Sequence, residues 1–184
     1  MGILYKCRQV MNMDECINMY KSFVLPYFLY CLPVWGSSIN SKNDPIVNIQ
    51  NKVLRVLTNT KRTEDAWYHV RDAVLPVEEL YKIEVAKFCF KNSKGLLPNN
   101  FSKEVMPKFA NEVHNVSTRH SKHHNYQFEQ SHLTTKAHTS FTANCIRIWN
   151  SIPHLLKMQT DMQEPSTKIF TENLRKYYLF MGKM

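Results

Sequence analysis

Behind Asn12, the apolar positions Ile17, Tyr20, Val24 and Tyr27 recur at helical spacing, and Glu15 stands three residues after the asparagine as a capping box requires. This pattern predicts a helix from about Met13 to Leu32, kinked where Pro26 lacks a backbone donor and ended by Pro33 and Gly36. Its apolar residues circle almost the whole surface, so burial on most sides is expected. Asp44 followed by Pro45 opens a second helix through about Leu57. Ile46, Ile49, Val53 and Leu57 form its expected inner stripe. The outer stripe carries Asn48, Lys52, Arg55 and Asn59, with Lys61 and Arg62 just beyond. Asp65 to Val74 reads as a short helix. The run Leu75-Pro76-Val77-Glu78-Glu79 then begins another, with two acids at its positive end and Gly95 as its stop after Lys94. Leu80, Tyr81, Val85, Phe88 and Cys89 should face inward there.

The periodicity then lapses. His114 to His138 is rich in Ser, Thr, Asn and His and reads as a long loop, with a strand signal only at Tyr126 to Phe128. Helical spacing resumes near Thr139 with Phe141, Cys145, Ile148 and Trp149, and again after Ser166 with Phe170, Leu174 and Tyr177. In Trp149-Asn150-Ser151-Ile152-Pro153, the asparagine suits a helix end and the tryptophan an inward anchor rather than a base-stacking platform. The expected fold is mainly α, an irregular helical bundle with a long basic His-rich loop, divided into a helical region 1–112 and a region 113–184 of loop and C-terminal helices.

With 184 residues and 43% hydrophobic composition, the chain is long enough for one well-packed domain, or one with a small appendage. Only four glycines occur, and none lies in a phosphate-cradling loop pattern, which argues against nucleotide-binding folds. Charge changes the picture more. Twenty-four Lys and Arg face 15 Asp and Glu, a net of +9, which favours polyanions as partners. The excess is uneven, because residues 61–112 hold nine basic and eight acidic residues whereas 113–157 hold five and one. Five widely spaced cysteines give no disulfide framework or zinc ribbon. The start lacks a signal-peptide layout, and the apolar run Phe23 to Trp35 is too short to span a bilayer. An intracellular location, cytoplasmic or nuclear, and no membrane partner are expected.

Six of the eight histidines fall at His114, His120, His123, His124, His132 and His138. Zinc sites need compact paired ligands, and only distant Glu129 and Cys145 could join these histidines, so no metal is expected and the loop reads as solvated or phosphate-contacting. The acid pairs Asp14-Glu15, Glu64-Asp65 and Glu78-Glu79 each sit at an expected helix start, where capping explains them better than catalysis. No nucleophile-elbow motif appears. The candidate binding residues are therefore basic: Lys52, Arg55, Lys61 and Arg62 in the first region, and Arg119, Lys122, Lys136 and Arg147 in the second.

Six segments in order, SFVLPYFLYCLPVWG (Ser22 to Gly36), IQNKVLRVL (Ile49 to Leu57), LPVEELYKIEVAKFCFKNSKGLLP (Leu75 to Pro98), STRH (Ser117 to His120), IWNSIP (Ile148 to Pro153) and IFTENLRKY (Ile169 to Tyr177), resemble the C-terminal part of non-LTR retrotransposon reverse transcriptases of the jockey or RTE type. The resemblance spans nearly the whole chain. It implies a helical thumb and C-terminal extension from a truncated or decayed element, without the catalytic palm and the endonuclease in this sequence. The family's aromatic-x-Asp-Asp polymerase motif has no match, there is no adjacent aspartate pair, and the Cys-Cys-His-Cys knuckle of some relatives is missing. Cys145 stands where many relatives have glycine. Two-metal phosphoryl transfer needs carboxylates that hold both ions, so no catalysis, cofactor or small-molecule substrate is expected of this chain alone. By the same resemblance its partner is an RNA or DNA duplex held without sequence preference, and the eight basic residues are assigned to that role from charge rather than from a family motif. The alternatives are a protein-protein module, docking to a polymerase palm or adopted by a host, and a relic without function.

Overall fold

In the computed structural model, residues 2–39, 44–61, 63–100, 106–113, 122, 125–127, 141–158 and 166–181 are described. The fold is mainly α, as the periodicity predicts. The chain divides into two compact units, residues 1–81 with 177–184, and residues 82–176. This grouping follows contacts, whereas the sequence division at 112/113 follows composition.

The first unit opens with α1 (Gly2–Cys7) and α2 (Met13–Met19). The capping box is formed: the Asn12 side chain accepts from the Glu15 N–H at 2.9 Å, and Glu15 Oε2 accepts from the Asn12 N–H at 3.0 Å. A π-helical turn, Tyr20–Val24, leads into α3 (Leu25–Leu29), with Pro26 in its first turn. In this wider turn the Leu25 N–H bonds to the Tyr20 carbonyl just ahead of the proline, which has no N–H of its own to place. The expected continuous helix to Leu32 is broken earlier, because Tyr30 is extended and Cys31 is left-handed (φ 50°) before α4 (Leu32–Trp35). Expected burial on most sides is also corrected. Tyr20, Phe28 and Leu32 are buried, but Phe23, Tyr27, Tyr30 and Val34 are 69%, 82%, 77% and 78% exposed. Only one side of this segment finds a surface to pack on. Gly36 is needed where it stands, since a Cβ there would collide with the Tyr81 ring.

Helix α5 (Pro45–Thr58) starts as read, with the Asp44 carboxylate accepting from the Ile46 N–H at 2.9 Å. Its buried face is rotated relative to the expected stripe. Gln50, Val53, Leu54 and Leu57 are inside, while Ile49 is 46% exposed. Gln50 is wholly buried and satisfied: its amide donates to the Tyr20 hydroxyl (2.9 Å) and the Leu75 carbonyl (3.0 Å), and its oxygen accepts from the Val77 N–H (2.9 Å). Burial raises the Tyr20 pKa, and the bond from Gln50 opposes part of that shift. Arg8 donates to the Val56 carbonyl at 3.0 Å, placing a cation at the negative end of α5. The short helix expected over Asp65–Val74 contracts to α6 (Trp67–Val70) followed by turns. Helix α7 (Val77–Ser93) follows, and its first residues belong to this unit.

The second unit takes the rest of α7. The helix ends as the Gly95 signal requires: Gly95 has φ +64°, and the Leu96 N–H reaches back to the Lys91 carbonyl at 2.8 Å. Ile83, Val85, Ala86, Cys89 and Phe90 are buried along it, while Phe88 is only half-buried. Glu84 and Lys87 pair at 2.8 Å on its polar side. Then come α8 (Ala110–Val113), α9 (Phe141–Ser151), α10 (His154–Met158) and α11 (Thr167–Met181), whose last turns return to the first unit. Among the described residues, the strand expected over Tyr126 to Phe128 is represented by an antiparallel bridge between Phe109 and Tyr126, and Phe128 lies outside them. Aromatic rings run through this core: Phe109 stacks on Tyr126 (4.3 Å between centroids), Tyr126 meets Trp149 (6.1 Å), Trp149 meets Phe170 (6.1 Å), and Phe170 stacks on Phe90 (4.5 Å). Asn150 does not end its helix as expected. It pins Tyr126, accepting from the tyrosine N–H at 2.9 Å and donating to its carbonyl at 3.0 Å.

Candidate nucleic-acid interface

Because Gln50, Val53, Leu54 and Leu57 hold one face of α5 in the core, the opposite face is turned outward. Lys52 is exposed there, Arg55 is half-buried, and Lys61 is exposed just past the left-handed cap at Asn59. Arg55 is less purely basic than charge along the sequence implies, since it shares a cleft with Glu64, Asp65 and Glu78. In the second unit, Arg147 is exposed on α9 while Asn144, Cys145, Ile148 and Trp149 of that helix face the core. Lys122 is exposed too, and its carbonyl lies 3.2 Å from the His154 ring nitrogen. Arg62, Arg119 and Lys136 lie outside the described residues, as do the six clustered histidines. Among the described residues, no three His, Cys, Asp or Glu side chains converge to hold a metal ion, and no helix is long and apolar enough to cross a membrane.

The acid pairs do local work. Beyond the Asn12–Glu15 box, Glu64 Oε2 accepts from the Lys61 N–H at 3.2 Å, Asp65 Oδ1 accepts from the Trp67 N–H at 3.0 Å, and Glu78 and Glu79 occupy the first turn of α7. Trp149 is 2% exposed and therefore core, not a stacking platform.

One basic residue behaves unlike the others, and charge counting along the chain does not single it out. Lys157 on α10 is only 6% exposed; its ammonium donates to Asn125 Oδ1 at 2.7 Å and sits 5.3 Å from the Trp149 ring centroid. Burial lowers its pKa to about 8, with the Cys89 thiol acting weakly in the opposite direction. Burial likewise raises the pKa values of the Cys89 thiol and the Tyr126 phenol. The tyrosine hydroxyl accepts from the Asn92 amide at 3.2 Å and donates to the Cys89 carbonyl at 3.5 Å. A lysine eight positions after a tryptophan would share its face on one continuous helix, but the helix carrying Trp149 ends at Ser151 and Lys157 belongs to the next, so only the tertiary fold reveals their contact.

Comparison with protein-family models, with curated proteins and with solved structures finds no match to this chain.

Proposed function

We propose that this chain is the non-catalytic C-terminal region of a non-LTR retrotransposon reverse transcriptase, and that it holds an RNA or DNA duplex by its phosphates without reading sequence. The observation that carries this reading is the outward presentation of Lys52 on a helix whose opposite face is locked into the core, with Lys61 exposed just past the end of that helix, in a chain of net charge +9. Backbone recognition asks for cations at fixed spacing rather than for a shaped chemical site, and Arg147 and Lys122 offer further exposed charge in the second unit. The ordered resemblance of six segments supports the same origin. Polymerisation then belongs to a palm outside this sequence. Fluorescence anisotropy with a labelled RNA–DNA hybrid tests the reading: binding at about 50 mM salt that weakens strongly by about 200 mM is expected, and absence of binding at the lower salt overturns it.

The exposed stripe Phe23, Tyr27, Tyr30 and Val34 favours a second reading, docking of another protein surface such as a polymerase palm. Under that reading, serine substitutions at Phe23 and Tyr27 abolish capture of a recombinant palm fragment and leave hybrid binding unchanged.

A further inference from the structure

The first unit contains an open cleft of about 390 Å³, within the range of small-ligand sites, formed where α5 meets the segment before α6 and the start of α7. Its ionisable lining is three carboxylates, Glu64, Asp65 and Glu78, against one guanidinium, Arg55, a formal balance of −2 in a chain of +9. The cleft therefore repels the phosphates that the rest of the surface attracts. Trp67 forms part of the wall and is held at two points: its indole N–H donates to Asn51 Oδ1 at 2.7 Å, and its backbone N–H donates to Asp65 Oδ1 at 3.0 Å. An anchored, half-buried indole beside negative charge provides the best aromatic surface for a cation.

The spacing of the acids decides which kind of cation fits. Among the described residues no three metal-ligating side chains converge, so these carboxylates are distributed around the cleft rather than focused on a point. A compact metal ion would meet too few of them. An organic cation would meet several at once, while Val47, Pro76 and Val77 give its methylenes an apolar wall. Glu64 and Asp65 each use one oxygen for the local turn, which leaves the other able to accept from a ligand.

We propose that this cleft binds a guanidinium or alkylammonium group, from either a free small molecule or an arginine or lysine side chain of a polypeptide. Its test is an NMR titration of the ¹⁵N-indole signals of the full chain, with the Trp67 signal assigned from Trp67→Phe. The probes are N-acetyl-arginine amide, a capped glycine-rich peptide carrying one arginine, and neutral N-acetyl-citrulline amide. A saturable Trp67 shift with both arginine probes but not with citrulline is expected, weakened at least about tenfold in Glu64→Gln/Glu78→Gln, which keeps side-chain shape and removes two charges. A tighter response to the peptide identifies a polypeptide source, and equal responses a free cation. No Trp67 shift up to about 20 mM probe, or an equal shift with citrulline, overturns the proposal even if the double variant fails to fold.

Discussion

Each of the two units buries a long polar side chain in its core, and they do so in opposite ways. In the first, Gln50 is neutral and spends its amide on three partners, joining α5 to Tyr20, Leu75 and Val77. In the second, Lys157 carries a titratable amine against Trp149, with Asn125 as its hydrogen-bond acceptor. A satisfied amide gives a cross-link indifferent to pH, whereas a buried amine ties local stability to its protonation. The two units also place their aromatic side chains differently. The second is threaded by five aromatic rings in succession, while the first leaves Phe23, Tyr27, Tyr30 and Val34 in solvent.

The comparison breaks most visibly at Trp149. Replacing it with alanine removes the ring that touches Tyr126, Phe170 and the Lys157 ammonium together, and should cost about 3–5 kcal/mol. Thermal or denaturant unfolding followed by circular dichroism checks this. Gln50→Leu keeps approximate volume but strands the Val77 N–H and the Leu75 carbonyl. A loss of about 2–4 kcal/mol is expected, the same at pH 7 and pH 9.

Lys157 sharpens the contrast through its sign. Its folded-state pKa of about 8 lies below the ordinary 10.5, so in that interval the unfolded chain binds more protons than the folded one. Below pH 8 the fold bears the cost of a buried ammonium, and raising the pH through 8 relieves it. The Lys157 contribution to stability should therefore rise from pH 7.5 to about pH 9, by on the order of 1 kcal/mol once solvent screening is allowed for, and is read as the difference between the parent chain and Lys157→Met. From about pH 8 the raised pKa values of the Cys89 and Cys16 thiols act in reverse, and above about pH 9 that of the Tyr126 phenol does, because in each case the unfolded group ionises first. Lys157→Met should remove the lysine's contribution to the slope over that interval, and a slope unchanged from the parent chain would refute the assignment. The smallest stability effect belongs to the surface: Lys52→Ala and Lys61→Ala should each change unfolding free energy by less than about 0.5 kcal/mol in urea titrations.

Local signals carried much of the backbone. Asn12 with Glu15, Asp44 with Pro45, and Gly95 each mark a terminus through bonds made within a few residues, and the structure forms them. What depends on distant partners was not legible. The choice of Gln50 over Ile49 as a buried position on α5 follows from acceptors and donors at Tyr20, Leu75 and Val77, which no spacing within α5 encodes. The apolar run Phe23 to Trp35 reads as buried because hydrophobicity registers a preference, not whether a covering surface exists. Among the candidate site residues, outward placement of Lys52 and Arg147 followed from the apolar stripes of their helices, whereas Lys61 lies past the end of α5, where no stripe bears on it. The acidic neighbours of Arg55 and the burial of Lys157 arise only when separate segments meet.

The claim that exposed lysines grip a duplex by its phosphates is tested most directly by the dependence of hybrid affinity on salt, measured for the parent chain and for Lys52→Ala/Lys61→Ala. The account predicts a linear fall of log K with log salt, and a slope smaller by about 2 in the double variant at unchanged stability. Identical slopes in the two proteins, or affinity indifferent to salt, would contradict it.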